Sequence, residues 1–180
     1  MRELSLNILD IAQNSITAGA SLITIEVNES VIDHTLLIGI CDNGKGMSEE
    51  QVRSVIDPFF TTRTTRKVGM GIPLFKMAAE QTGGRLEIKS EIGVGTEVRA
   101  YFKTDNVDFT PLGDVASTVQ MLITMNTDRD FLYKHSVDGK EFVADTREIK
   151  EILGDVPLDT YEVSQWLIDF IKENTEVLYK

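Results

Sequence analysis

The chain has 180 residues, 42% of them hydrophobic, enough for one globular domain with a real core, alone or with a sizeable appendage. No apolar run approaches the ~20 residues a bilayer span needs, and no basic-then-apolar leader opens the sequence, so a cytoplasmic protein without a membrane partner is expected. The formal net charge is −11, with residues 1–104 carrying −2 and residues 105–180 carrying −9, which argues against a nucleic-acid-coating surface.

In chain order, residues 2–18 read as a helix with Gly19 as its cap. Leu4, Leu6, Ile8, Leu9, Ile11 and Ile16 make most of that helix apolar. Against them, Asn7, Asp10 and Asn14 recur on one face, a stripe suited either to solvent or to a charged ligand or metal. Ser21–Asn28 alternates as a strand, 31–34 makes a turn, and Thr35–Cys41 reads as a buried strand. Cys41, the sole cysteine, leaves no internal disulfide, suits a reducing compartment and reads as a small buried side chain. Asp42-Asn43-Gly44-Lys45-Gly46-Met47 follows, a sharp glycine turn that offers an acceptor-only carboxylate at a strand end.

Ser48 caps a short helix reaching Ile56, and Pro58 stops it. Residues 57–69 form a long loop whose charges after Pro58 are all basic, namely Arg63, Arg66 and Lys67. Gly69-Met70-Gly71-Ile72-Pro73 opens a helix to about Thr82, and free N–H groups at such a start cradle phosphate. Arg85–Ser90 and Thr96–Phe102 are strands joined by a glycine hairpin connection. Thr110-Pro111 starts a helix to about Met125, and Asp138-Gly139 links strands Phe131–Val137 and Lys140–Ala144. Asp145 caps a helix ending before Gly154, and Asp159 with Glu162 suggests a capping box for a last helix. Val163, Trp166, Leu167, Phe170 and Ile171 share one face of it, read as core.

Asn14, Asp42-x-Gly44-x-Gly46-Met47, Pro58-Phe59-Phe60-Thr61-Thr62-Arg63, Gly69-x-Gly71 and Gly93-Val94-Gly95-Thr96 stand in one order along residues 1–103. That order resembles the ATP-binding fold of DNA gyrase, the large heat-shock chaperones, histidine kinases and MutL-type repair proteins, the GHKL or Bergerat superfamily. It is most similar to the histidine-kinase catalytic domain, since Lys76, Gly83, Gly84 and Ser90 also keep their places. The resemblance implies an α+β fold, a two-layer sandwich with helices on one face of a mixed, mostly antiparallel sheet. Residues 1–104 would be the ATP-binding domain, and 105–180 an acidic α+β extension that packs on it or joins a homodimer.

The resemblance also implies roles. Asp42 would accept from the adenine amino group, with Gly44 and Gly46 closing round the base and Met47 beside it. Asn14 would ligate Mg²⁺. Thr61, Thr62, Arg63, Lys67, Val68, Gly69, Met70, Gly71 and Ile72 would serve the phosphates and the lid, with Thr96 on the sheet floor. Asp10 stands four residues before Asn14, where kinases of the family have asparagine and the hydrolytic branch glutamate, and it would be the general base. Lys67 stands where the family has a hinge glycine; the helical hairpin with the family's phospho-accepting histidine is expected to be absent, and neither His34, in a turn, nor His135, in a strand, has the helical context to replace it. The expectation is an ATP-dependent kinase or ATPase in signal transduction, acting in trans on a separate protein. A nucleotide-gated binding module with little turnover and a MutL-like repair protein remain as alternatives.

Overall fold

The computed structural model describes residues 3–57 and 70–180. Helix α1 (Leu4–Thr17) leads into the antiparallel strands β1 (Leu22–Ser30) and β2 (Thr35–Asp42). Helices α2 (Glu49–Ile56) and α3 (Gly71–Gln81) follow, then strands β3 (Arg85–Glu91) and β4 (Gly95–Lys103). Helix α4 (Val115–Met125), strands β5 (Asp130–Val137) and β6 (Lys140–Asp145), and helices α5 (Thr146–Leu153) and α6 (Tyr161–Glu176) complete the chain. Six strands form one sheet in the order β3-β4-β2-β1-β5-β6. Every neighbouring pair is antiparallel except β1 with β5, which is parallel. The acidic C-terminal part therefore continues the sheet of the first hundred residues. A parallel neighbour cannot be reached by a tight turn, and here the intervening chain supplies the long crossover.

Alternation decides the layers. Ile23, Ile25 and Val27 of β1, Ile38 and Ile40 of β2, Val98 and Ala100 of β4 and Phe131 of β5 are all buried on one face. Helices α3, α1, α4 and α6 lie over that face, each touching the next or the strands beneath. Burying each such isoleucine contributes ~1.5–3 kcal/mol. The opposite face carries Glu26, Lys134, Glu97 and Arg99, none of them buried. Cys41 falls on this open face and is exposed, contrary to expectation, because it is one residue out of phase with Ile40.

Two helix starts differ from the sequence reading. Thr110-Pro111 does not begin a helix; α4 starts at Val115, and the Asp114 carboxylate accepts from Ser117 N–H. The residues before it serve α1 instead, which has no side-chain cap. The Leu4 and Ser5 N–H groups donate to the Pro111 and Leu112 carbonyls at 2.8 and 2.9 Å, so a distant segment satisfies the helix start. Helix α6 is capped by Thr160, whose hydroxyl accepts from Val163 N–H, not by Asp159 and Glu162. On its apolar face Val163, Leu167 and Ile171 are core, whereas Trp166 is 42% exposed and stacks on Phe170.

His135 lies buried in β5, with Nδ1 2.8 Å from the Tyr133 hydroxyl and Nε2 3.3 Å from that of Tyr179. Tyr179 in turn donates to Glu29 at 2.7 Å, tying the C-terminal turn to β1. Burial lowers the His135 pKa to about 4 from its ordinary 6.5. The folded state thus refuses a proton that the unfolded state accepts. Stability from this group is complete above pH 6.5 and is lost as pH falls from 6.5 toward 4. Urea unfolding followed by Trp166 fluorescence should show this slope, at most ~1.4 kcal/mol per pH unit, and His135→Gln should flatten it.

Candidate functional site

The turn after β2 is built on contacts that only glycine permits. A Cβ on Gly46, at φ +73°, would lie 1.9 Å from the Glu91 carbonyl oxygen, and one on Gly95 equally close to that of Asp42. The 44–46 turn is thus wedged between the β3–β4 hairpin and the end of α1, where a Cβ on Gly44 would crowd Ala18 at 2.9 Å. Backbone bonds lock it there: Lys45 N–H donates to the Ala18 carbonyl at 2.9 Å and Gly93 N–H to the Lys45 carbonyl at 2.7 Å. Asn43 fastens the other side, its amide oxygen accepting from the N–H groups of Ser21 and Leu22.

Asp42 emerges from this frame with a fixed carboxylate. One oxygen accepts from the Ser15 hydroxyl at 2.6 Å and the other from Gly44 N–H at 2.8 Å. A carboxylate has about four lone-pair sites, so capacity remains for another donor. Beside it, Thr96 faces Asp42 across the β2–β4 ladder. The Thr96 hydroxyl is 2.8 Å from that of Ser90, which accepts from Met47 N–H at 2.8 Å. Asp42 and Thr96 sit in a cavity of about 200 Å³ with Ile11, Ile40, Ile72 and Val98 among its apolar walls. A larger open hollow of about 530 Å³ near Leu37, Arg85 and Lys103 shares none of these residues.

Of the residues singled out in the sequence, Asn14, Asp42, Gly46, Met47, Ile72 and Thr96 line this one cavity. Gly44 packs just behind it. Gly71 starts α3 against α1, where an added Cβ would lie 3.3 Å from Asp10 Cβ. Asp10 is exposed, yet partial burial of its carboxyl raises its pKa above the ordinary value. Met70 turns away, into an open hollow with Ile56, Leu74 and Met77. Asn7, placed on the same polar stripe, is fully buried and is not part of the cavity. Thr61, Thr62, Arg63, Lys67, Val68 and Gly69, with the expected lid, lie outside the described residues. Ser15 was given no role by the sequence reading, and its place directly after Asn14 was the only signal for it.

Residues 1–106 match the family described as histidine kinase-, DNA gyrase B- and HSP90-like ATPase. The sensor histidine kinase ZraS of Salmonella typhi is 36% identical over 73 residues, 41% of this chain and 15% of that protein. Sporulation kinase D of Bacillus subtilis (strain 168) is 30% identical over 91 residues, 51% of this chain and 18% of its own length. The chain thus spans less than a fifth of these relatives. Among solved structures, the N-terminal domain of a DNA repair protein superposes with a TM-score of 0.58 at 14% identity, covering 86% of this chain and 58% of that one. That share reaches beyond residue 106, so the likeness in fold takes in part of the C-terminal strands and helices.

The fixed carboxylate yields a first test of the cavity. Asp42→Asn removes the charge and turns one acceptor oxygen into a donor, so if Asp42 is the group that receives the adenine amine, affinity for a non-hydrolysable ATP analogue should fall ~10–100-fold by calorimetry. Ser15→Ala should weaken it by a smaller factor, because Gly44 N–H still holds Asp42.

Proposed function

The chain belongs to the histidine kinase-, DNA gyrase B- and HSP90-like ATPases, and on that premise we propose that it is a Mg-ATP-dependent kinase or ATPase acting in trans on a separate regulatory protein. The observation that carries the nucleotide reading is the Asp42 carboxylate, oriented by Ser15 and Gly44 at one side of an apolar cavity. An apolar slot with one spare anionic acceptor suits a flat heteroaromatic ring bearing an exocyclic amine. Asn14 lies at the same cavity on α1, and its amide oxygen is a hard ligand of the kind Mg²⁺ takes.

The start of α3 turns toward α1 next to Asp10, so its free N–H groups and positive dipole end are available to phosphate oxygens. Bound Mg-ATP supplies the transferable phosphoryl group. Asp10 stands one helical turn before Asn14 and would take the proton from an attacking water or acceptor group. Its raised pKa, caused by partial burial, makes it a better proton acceptor than an ordinary surface aspartate. Action in trans is supported by Met70, Leu74 and Met77, which are exposed on α3 around a separate open hollow. They would meet an apolar patch on the partner.

The alternative, a nucleotide-gated binding module with little turnover, draws support from the bonds joining the α1 start to Pro111 and Leu112. They couple the helix bearing Asn14 to the C-terminal part, as a switch would require.

Turnover separates the two readings. Asp10→Asn should lower phosphate release or transfer ~10²-fold or more while leaving analogue affinity within about threefold. Equal turnover in both proteins removes Asp10 as the base, and tight binding with no turnover in either selects the gated module.

A further inference from the structure

The sheet has two edges, and they differ in what they can pair with. Strand β3 forms one, and among the described residues it has only β4 beside it. Its sequence, Arg85-Leu86-Glu87-Ile88-Lys89-Ser90-Glu91, places Arg85, Glu87, Lys89 and Glu91 on the open face, all exposed. Leu86, Ile88 and Ser90 face the helix side and are half-buried. The charges run plus, minus, plus, minus, and they are antisymmetric about Ile88.

A twofold axis perpendicular to the sheet at Ile88 would set a second copy of β3 antiparallel to the first. Every pair then joins opposite signs: Arg85 meets Glu91, Glu87 meets Lys89, and Ile88 meets its own copy. Shifting the axis to residue 87 opposes Arg85 to Lys89 and Glu87 to itself. Shifting it to 89 opposes Glu87 to Glu91. Of the three longest registers, the full-length one alone has no like charges opposed, and directly opposed charges bear on cross-strand pairing. The other edge lacks this property, since an axis at Val143 of β6 opposes Glu141 to Asp145. Charges on an edge strand oppose indiscriminate pairing, and the alternating signs of β3 leave a matched antiparallel copy as the partner that they do not oppose.

We infer that β3 is a homodimerisation edge, on which a second copy of this chain pairs antiparallel about Ile88 to give one continuous twelve-stranded sheet. Arg85 already bonds Glu87 at 3.3 Å and lies 3.9 Å over the Tyr101 ring. The exposed ion pair is weak enough to be exchanged for an intermolecular one. A seven-residue edge is a small interface, so the dimer should dissociate in the micromolar range.

Sedimentation equilibrium without nucleotide tests this, independently of whether the cavity binds ATP. Wild type should show dimer mass at tens of micromolar. Glu87→Lys and Lys89→Glu, each placing two like-charge pairs in the dimer, should each weaken it ~10-fold or more. Mixing the two variants should restore a dimer, because the two central lysines of the Glu87→Lys strand then face the two central glutamates of the Lys89→Glu strand. Circular dichroism confirms folding of each. A monomeric wild type at hundreds of micromolar, single variants that stay dimeric, or a mixture that stays monomeric would each overturn the inference.

Discussion

The hydrogen bond from Ser15 to Asp42 joins the two parts on which the rest of the site depends. It fastens the end of α1 to the end of β2, and the other Asp42 oxygen holds the glycine turn through Gly44. A carboxylate held from both sides by short donors loses little entropy in accepting a third, which is the sense in which the cavity is preorganised. The same helix displays Asn14 and Asp10, so fixing α1 against β2 also sets where these two side chains stand relative to Asp42. Neither end could shift without the other.

Glycine enforces this arrangement from below. Gly46 and Gly95 bring two backbones closer than any side chain would allow. Replacement of either would push the β3–β4 hairpin off the turn and displace Thr96 from its place beside Asp42. Such shifts are costly, because the strands that carry the turn and the hairpin are anchored by buried Ile38, Ile40, Val98 and Ala100. The chemistry at the mouth therefore rests on backbone contacts that carry no chemistry themselves.

The C-terminal part is tied into the same framework at several points, three of them at the sheet, the start of α1 and the chain's last turn. Strand β5 extends the sheet from β1, the carbonyls of Pro111 and Leu112 cap α1, and Tyr179 reaches Glu29. Any force on α4 or the linker reaches the helix that carries Asp10 and Asn14. Helix α1, which carries Asp10 and Asn14, is thus shared by the cavity and the acidic extension.

Much was legible in the sequence because it depends on local periodicity. The apolar alternation of 22–28 and 35–40, the Ser48 cap and the Asp138-Gly139 hairpin each specify structure within a few residues. Asp42, Gly46, Met47 and Thr96 were readable as one group because their order and spacing resemble a known family, whose members 1–106 matches. What the tertiary structure alone decided are pairings between distant segments. Cys41 is exposed because the helices chose the face of Ile40, which strand alternation cannot foretell. Pro111-Leu112 became a cap for α1 because the N–H groups of Leu4 and Ser5 had no side-chain acceptor there. The joining of β5 to β1 pairs residues about a hundred positions apart, and no propensity within either strand encodes its neighbour. Local sequence chose the elements; burial and hydrogen-bond demand between remote segments chose their partners.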